Sequence, residues 1–324
     1  MTIKKLLING ISILLKFIKK MNDEQERKDI KFRLAKYIFN PILRKLGYTL
    51  ITDHFYQPIP NKNELLLYKN KPRPLDAINW NIDRQIEFTD SLLKQYNNEF
   101  NIPEYISSCG YIERFSGVQS GDAEFLYTMV RYLKPKTIIE VGAGGSTQIS
   151  LAALKRNYNE TKIKSKMYSI DPYPSNMVIE TTKGISSFVE LKLFSQEIQQ
   201  FDLKFFTKLT NADILFVDSS HVFKQGSDVE YEFLQIYPKL NKDVYIHIHD
   251  IFFPYDYPYD WNEKRNRFWN EQYYLETFLM FNKKYEIITS LSNVNYARKE
   301  VFLKNIIVFH ENRCPGSFWM KSIK

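Results

Sequence analysis

The sequence is poor in cysteine. Its 324 residues include 2 cysteines, Cys109 and Cys314. Two cysteines cannot build a disulfide framework, and by themselves they cannot supply the ligands of a structural zinc site. Low cysteine usage is typical of proteins of the reducing cytoplasm, which is where we expect this chain to act.

The sequence also lacks a long apolar run. The segment LLINGISILL is too short to span a bilayer, and Lys16, Lys19 and Lys20 follow it without a small-residue cleavage site. Residues 1–50 hold 12 lysines and arginines against 4 acids, and so carry the whole net charge of +8. This arm is interpreted either as a basic amphipathic helix that contacts a membrane surface or a partner, or as a helix packed on the domain. The helical spacing of its apolar residues favours packing.

The rest of the chain has no excess of either charge. Beyond residue 50, 33 basic residues balance 33 acidic ones. An enzyme that acts on nucleic acid usually carries a positive patch around its active site. We therefore expect no nucleic-acid partner.

Strand-like and helix-like segments alternate through most of the chain. Short apolar runs predict seven strands, at residues 137–141, 167–171, 189–194, 213–218, 244–250, 285–290 and 301–309. Alternation of this kind predicts an α/β, Rossmann-like, doubly wound fold with a mostly parallel seven-stranded sheet and helices on both faces. Residues 1–110 are interpreted as an N-terminal helical and loop extension, and residues 111–324 as the domain that contains the sheet.

The first strand leads into a glycine turn and a helix, in the sequence KTIIEVGAGGSTQISLAAL. Gly142, Gly144 and Gly145 allow a tight turn and the close approach of a ligand. Ser146 and Thr147 can cap the helix. A strand, turn and helix of this kind indicate a nucleotide-cofactor site in doubly wound folds.

Two acids indicate what kind of cofactor binds there. Glu140 precedes the glycines, where its carboxylate disfavours a pyrophosphate and favours a cationic or amino-bearing group. Asp171 ends the second strand, where an acid can accept hydrogen bonds from both ribose hydroxyls. Together they predict a nucleoside with a cationic tail.

At these residues the chain resembles a known family. EVGAGGST and SIDPYP are similar to the first two motifs of the class I S-adenosylmethionine-dependent methyltransferases. SGDAE, FVDSSH, HIHD and RFWNEQY resemble features of a bacterial subgroup associated with surface-glycan or secondary-metabolite pathways. The resemblance covers roughly Tyr111–Trp319 and implies S-adenosylmethionine as cofactor. It implies contacts with the methionine end, the ribose and the adenine from Glu140, Gly142, Ala143, Gly144, Ser146, Thr147, Asp171, Gln196, Glu197 and Asp218.

Ionisable residues follow the fourth and fifth strands. Asp218 and His221 lie at the end of one, and His249 and Asp250 at the end of the other, so they are expected to meet at one edge of the sheet. Methyl transfer to a hydroxyl requires alignment of donor and acceptor, and it benefits from a base. His249 is the first candidate for that base and His221 the second. Asp218 or Asp250 would orient the imidazole or bind the acceptor hydroxyl.

A divalent metal is the alternative at this edge. Asp218, His249 and Asp250 offer oxygen and nitrogen ligands that could hold an ion and acidify a bound hydroxyl. A histidine in place of a second acid disfavours Mg²⁺, and no metal is expected. His247, one step deeper on the same strand face, is predicted to be a buried core residue.

An aromatic stretch follows the fifth strand. Tyr255, Tyr257, Tyr259 and Trp261 are interpreted as a substrate-binding lid that stacks on a sugar and excludes water. The other interpretation is that these rings only pack on the domain surface.

The leading hypothesis is O-methylation of a small-molecule or glycan acceptor, namely a hydroxyl of a saccharide or glycosylated metabolite. One alternative is N- or carboxyl-methylation of a small peptide or metabolite, for which the base would matter less. Another is a catalytically silent cofactor-binding module, which the ionisable strand ends disfavour. The sequence indicates no oligomeric state.

Overall fold

The protein divides into two compact units. The computed structural model describes residues 30–51, 56–67, 69–100, 117–182 and 187–324. Residues 1–67 belong to one unit and residues 68–324 to the other. The sequence-based boundary after residue 110 differs from this division, because the helix Ile82–Phe100 packs into the core of the second unit.

The first unit is partly helical in the ranges that the structure describes. It contains a π-helical turn at Ala35–Phe39 and two helices, α1 (Asn40–Lys45) and α2 (Lys62–Leu67). Pro41 occupies the first turn of α1, where a missing N–H costs no hydrogen bond. The helices predicted for residues 1–29 lie outside the described residues. In the described part of the chain, no helix combines the length and apolarity needed to cross a membrane.

One seven-stranded sheet organises the second unit. Its strands are β1 (Thr137–Val141), β2 (Ser165–Ile170), β3 (Val189–Phe194), β4 (Ile214–Val217), β5 (Tyr245–Ile248), β6 (Tyr285–Ser290) and β7 (Phe318–Ser322). Their order is β3-β2-β1-β4-β5-β7-β6. Every pair is parallel except those of β7, which runs antiparallel to β5 and β6. The predicted Rossmann-like, mostly parallel fold is confirmed.

Helices cover both faces of this sheet. The helices are α3 (Ile82–Phe100), α4 (Asp122–Leu133), α5 (Gly145–Thr161), α6 (Asn176–Thr182), α7 (Asp228–Tyr231), α8 (Tyr259–Glu263), α9 (Glu271–Leu279), α10 (Leu291–Arg298) and α11 (Glu300–Asn305). Ile138 and Ile139 belong to different core clusters because successive strand residues point to opposite faces. A sheet with a core on each face explains why the strands are continuous apolar runs.

The seventh predicted strand is wrong. Residues 301–309 begin within α11, where Val301 and Phe302 are buried in the same core cluster as residues of α3. Asn305 also donates to Asp90 of α3 at 2.8 Å. A short apolar run does not by itself distinguish a buried helix from a strand. The last strand is β7, which the sequence analysis did not identify.

The strand order creates a crevice above the centre of the sheet. From β1 the chain proceeds outward to β2 and β3, and it then returns to β4 and β5 on the other side of β1. The connections that follow β1 and β4 therefore leave the sheet in opposite directions. Ligands of open α/β sheets bind at this switch point, beyond the carboxyl ends of the strands.

Candidate functional site

The glycine turn after β1 brings two strand ends into backbone contact. Gly142 has a φ of +82°, a conformation that residues with a side chain rarely adopt. A Cβ at this position would lie 2.0 Å from the carbonyl oxygen of Asp218. A Cβ at Gly144 would meet nothing within 4 Å, so open space lies beside the turn. Gly142 is thus required by the fold, whereas Gly144 borders room for a ligand.

Glu140 lies buried beneath this turn, with 1% of its surface exposed. Its carboxylate accepts hydrogen bonds from Ser146 Oγ at 2.8 Å, Thr147 Oγ1 at 2.7 Å and Ser169 Oγ at 2.6 Å. Burial raises the pKa of Glu140 to about 7, although the three hydroxyls act in the opposite direction. Ser146 and Thr147, which were predicted to lie near the cofactor, therefore hold Glu140 in place.

Asp171 joins the turn after β2 to the turn after β1. Its Oδ1 accepts from the backbone N–H of Tyr173 at 2.7 Å, and its Oδ2 accepts from that of Ala143 at 3.1 Å. Each carboxylate oxygen keeps a further lone pair that a ribose hydroxyl can use. Gln196 and Glu197 follow the neighbouring strand β3, the first half-buried and the second exposed. Their contacts with adenine remain a prediction.

The comparison with known families covers this turn and the ends of β1, β2, β4 and β5. A family model described as a methyltransferase domain matches residues 139–251. The chain therefore contains a methyltransferase domain. Its cofactor is S-adenosylmethionine. The open space at Gly144 and the free lone pairs of Asp171 fit such a ligand.

The methyltransferase is similar to several known proteins. It is 27% identical over 175 residues to an uncharacterised protein of Archaeoglobus fulgidus. The matched region covers 51% of this chain and 76% of that protein. The SAH-bound Podospora anserina methyltransferase PaMTH1 is 16% identical, with a TM-score of 0.39, over 75% of this chain and 88% of that one. The plantazolicin methyltransferase BpumL is 14% identical, with a TM-score of 0.35, over 74% and 98% of the two chains.

His221 contacts carboxylates with both ring nitrogens. Its Nδ1 lies 2.8 Å from Glu271 Oε2, and its Nε2 lies 3.1 Å from Asp218 Oδ1 and 3.9 Å from Asp250 Oδ2. Burial opposes the charged imidazole, but the hydrogen bonds to Asp218 and Glu271 hold the pKa of His221 well above its usual value. The backbone of His221 has a φ of +59°, a strained conformation of the kind found at functional sites.

His249 lies beside this group and is oriented less firmly. Its Nε2 is 3.7 Å from Asp250 Oδ1, and its Nδ1 is buried without a hydrogen-bond partner. Burial lowers the pKa of His249, but Asp250, Asp218 and Asp122 raise it above the usual value overall. Burial also opposes ionisation of Asp218, yet His249 and His221 lower the pKa of Asp218 to about 2. The crevice therefore pairs an ionised acid with imidazoles that favour their charged form.

The residues that could ligate a metal ion include a different histidine from the one predicted. One ligand atom from each of Asp218, His221 and Asp250 lies within 4.8 Å of the others, whereas the sequence grouped the two acids with His249. Two carboxylates and an imidazole suit divalent ions other than Mg²⁺. An ion bound here would have to replace the contact between His221 and Asp218. A divalent metal therefore remains the lesser alternative at this edge of the sheet.

His247 is a buried core residue, as predicted. Its ring stacks on Phe216 with the centroids 4.2 Å apart, and its Nε2 lies 2.9 Å from Ser317 Oγ. Burial lowers the pKa of His247 well below its usual value. The residue thus stays neutral and supports the strand that leads to His249.

The four aromatic residues of the predicted lid do not share one environment. Tyr257 is buried, and its hydroxyl accepts from the backbone N–H of Gln272 at 3.0 Å, so it belongs to the packed interior. Tyr255, Tyr259 and Trp261 are half-buried. Contact with the acceptor therefore stays a prediction for these three half-buried rings. For Tyr257, which is buried, such a contact is disfavoured.

The sequence analysis missed several residues of the site. Glu271 is fully buried at the start of α9, where it contacts His221. Asp122 accepts from the backbone N–H groups of Gly316 at 3.1 Å and Ser317 at 2.7 Å, and thereby fixes the loop before β7. The position of Glu271 inside the aromatic-rich motif RFWNEQY was the available signal for it.

Proposed function

We propose that this methyltransferase methylates a hydroxyl group of a saccharide or glycosylated metabolite. The observation that carries the proposal is the pair formed by His221 and Glu271 at the end of β4. A hydroxyl acceptor must lose its proton as the new C–O bond forms. A histidine that a carboxylate orients from behind is suited to take this proton.

The donor side consists of the turn after β1 and the turn after β2. In the proposal Asp171 accepts hydrogen bonds from the ribose hydroxyls, and the space beside Gly144 receives the methionine end. The carboxylate of Glu140 balances the charge of the amino group of S-adenosylmethionine. When bound, S-adenosylmethionine supplies an electrophilic methyl group on a sulfonium. The backbone contact between Gly142 and Asp218 holds this donor turn against the acceptor side.

We assign the base to His221 in place of His249, which the sequence ranked first. Glu271 fixes His221 through Nδ1, so that Nε2 faces Asp218 and Asp250 in the crevice. His249 has no comparable hydrogen bond and is kept as the second candidate. In this assignment His221 Nε2 would take up the proton that the acceptor O–H loses, and S-adenosylmethionine, held by Asp171 and Glu140, would supply the methyl group.

A saccharide acceptor is supported by an aromatic residue close to His221. Trp261 is half-buried, and its ring lies 5.1 Å from that of Trp269, which in turn lies 4.2 Å from the His221 ring. Rings of this kind stack on the apolar face of sugars. N- or carboxyl-methylation of a small peptide or metabolite is the alternative. Because a neutral amine needs less help from a base, loss of His221 would then change the rate little.

Cofactor binding is tested by calorimetry with S-adenosylmethionine. We expect Gly144→Ala to fold normally, because its Cβ would meet nothing, and to bind at least about 10-fold more weakly because the Cβ occupies the ligand space. Gly117→Ala is the matched control, since its Cβ also meets nothing. Wild-type protein that binds no S-adenosylmethionine would contradict the proposal.

The base is tested through the pH dependence of S-adenosylhomocysteine release with hydroxyl acceptors. The imidazole accepts a proton only when neutral, so the raised pKa of His221 predicts a rate that rises as the pH increases above neutrality. Glu271→Gln removes one cause of that raised pKa and should shift the rise to lower pH and reduce kcat about 10-fold. The exposed Glu263→Gln is the control. An unchanged pH profile in Glu271→Gln, or full activity of His221→Ala, would remove His221 as the base.

We further propose that the basic segment of the first unit contacts an anionic membrane surface. Residues 30–51 contain five basic residues and no acid: Lys31, Arg33, Lys36, Arg44 and Lys45. The same segment exposes large apolar side chains, namely Phe32, Tyr37, Ile38, Ile42, Leu46, Tyr48, Leu50 and Ile51. Exposed apolar rings and chains among uncompensated cations are typical of interfacial helices.

A further inference from the structure

The segment between α8 and α9 holds an arginine between two tryptophans. The guanidinium carbon of Arg267 lies 5.0 Å from the centre of the Trp261 ring and 4.8 Å from that of Trp269. The two indoles meet edge to face with their centroids 5.1 Å apart. The backbone N–H of Arg267 also donates to the carbonyl of Trp261 at 2.9 Å. Both the backbone and the head group of Arg267 are therefore held in place.

This guanidinium has no acidic partner within the described ranges. Two other cations of the second unit do have acidic partners: Lys264 pairs with Asp260 at 2.8 Å, and Arg73 pairs with Glu276 and Asp256. Contacts with aromatic faces leave the N–H edges of a guanidinium free for hydrogen bonding. Arg267 thus presents an ordered positive charge with unused donors.

The same segment is tied directly to His221. The Trp269 ring lies 4.2 Å from the His221 ring, centroid to centroid. The backbone N–H groups of Asn270 and Glu271 both donate to the carbonyl of His221, at 3.1 and 3.2 Å. Because one indole contacts both the imidazole and the guanidinium, a ligand the size of one sugar ring can reach both groups.

We propose that Arg267 binds an anionic group of the acceptor, so that the methylated molecule is an acidic sugar that carries a carboxylate or a phosphate. This inference rests on the proposed function, since it places the reacting hydroxyl at His221. A planar guanidinium held in position can bind either oxyanion through two parallel hydrogen bonds. The tryptophans fix its orientation in advance, which lowers the entropic cost of binding.

The test uses the full-length protein saturated with S-adenosylhomocysteine. Tryptophan fluorescence, which Trp261 and Trp269 report at the site, is titrated with glucuronate, glucose 1-phosphate and neutral glucose. We expect at least one anionic sugar to bind about 10- to 100-fold more tightly than glucose, the range expected for hydrogen bonds to a charged group. The stronger of the two anions identifies the carboxylate or the phosphate as the group bound.

Two matched variants locate the effect. Arg267→Met should bind the preferred anionic sugar no more tightly than glucose, and Arg267→Lys should recover part of the difference. The exposed Arg265→Met removes the same charge two residues away and should retain the full preference. Circular dichroism and S-adenosylmethionine binding verify that each variant is folded.

Three results would overturn the proposal: equal binding of all three sugars, absence of binding by both anions, or equal losses in Arg265→Met and Arg267→Met. Equal losses would mean that the general surface charge attracts the anion. If S-adenosylmethionine still binds and neutral hydroxyl acceptors are still methylated, only the role of Arg267 fails. If the wild-type protein binds no S-adenosylmethionine, the proposed function itself fails.

Discussion

At the scale of single residues, the donor site combines a buried acid with three hydroxyls. Glu140 has no cationic partner among the described residues, and burial raises its pKa to about 7. Its three hydrogen bonds come from serine and threonine hydroxyls, which can remain in place whether or not the carboxylate is charged. The carboxylate is therefore sensitive to the charge of the ligand.

This sensitivity predicts that cofactor binding is linked to proton release. Below about pH 7 the free protein holds a proton on Glu140, and the amino group of S-adenosylmethionine should favour the charged carboxylate and expel that proton. Affinity should therefore increase as the pH rises towards 7 and level off above it. Calorimetry at pH 6 in buffers of different ionisation enthalpy measures the number of protons released.

Glu140→Gln keeps the shape of the side chain and removes the ionisable group. We expect it to bind S-adenosylmethionine more weakly, without net proton release, while the exposed control Glu263→Gln behaves as the wild type. Equal proton release in Glu140→Gln and the wild type would show that another group is titrating.

At the scale of elements, Arg131 joins three helices. It lies on α4 and is almost fully buried, and it binds Glu99 of α3 at 2.8 and 3.0 Å. It also contacts Asn157 and Glu160 of α5. A buried cation with several partners is expensive to lose, because the acids that surround it are left without compensation.

We predict that Arg131→Met lowers the free energy of unfolding by about 3 kcal/mol. Lys134→Met is the control, because Lys134 pairs with the same Glu160 at 3.0 Å on the surface, and it should cost less than about 1 kcal/mol. Urea unfolding monitored by circular dichroism measures both values. If the two variants lost a similar free energy of unfolding, the burial of Arg131 would add nothing to the stability that a surface ion pair provides.

The sequence predicted the parallel part of the sheet well and its antiparallel edge poorly. β1 and β3 match their predicted bounds, because a short run with apolar residues that ends at turn residues is a local signal. The residues of β7 pair with β5 and β6, which no local pattern reveals, and residues 301–309 have a composition that suits either a strand or a helix.

The candidate site was predictable to a similar extent. Five residues could be placed because each lies at or just beyond the end of a predicted strand, and strand ends share one edge of a parallel sheet. They are Asp171, Asp218, His221, His249 and Asp250. Glu271 lies 50 positions after His221 in the chain, so no local pattern predicts their contact. The position of Arg267 between two tryptophan rings likewise depends on side-chain geometry that the sequence does not reveal. Such long-range contacts depend on how loops fold over the sheet.

At the scale of the whole molecule, charge and catalysis are separated along the chain. The first 50 residues carry the entire net charge, whereas the second unit contains the sheet and every residue assigned to the reaction. This division predicts that the basic segment can lose its charge while cofactor binding is retained.

We predict that the full-length chain sediments with phosphatidylglycerol vesicles and not with phosphatidylcholine vesicles. Replacement of Lys31, Arg33, Lys36, Arg44 and Lys45 by glutamine should weaken vesicle binding at least about 100-fold, because each basic residue near an anionic surface contributes about 1 kcal/mol. The matched control replaces five exposed lysines of the second unit, Lys204, Lys208, Lys239, Lys242 and Lys283. Equal losses in both variants would mean that net charge alone drives the association.

The contact between Gly142 and the carbonyl of Asp218 limits how this enzyme can be redesigned. A chimaera that takes the connection after β4 from another methyltransferase would alter the backbone on which the donor turn rests. Even a Cβ at Gly142 would lie 2.0 Å from the Asp218 carbonyl oxygen, so this junction has little space for adjustment. Exchanges confined to the segment between α8 and α9 do not touch this contact. Libraries that aim to change the acceptor should therefore vary that segment and keep the junction of β1 and β4 intact.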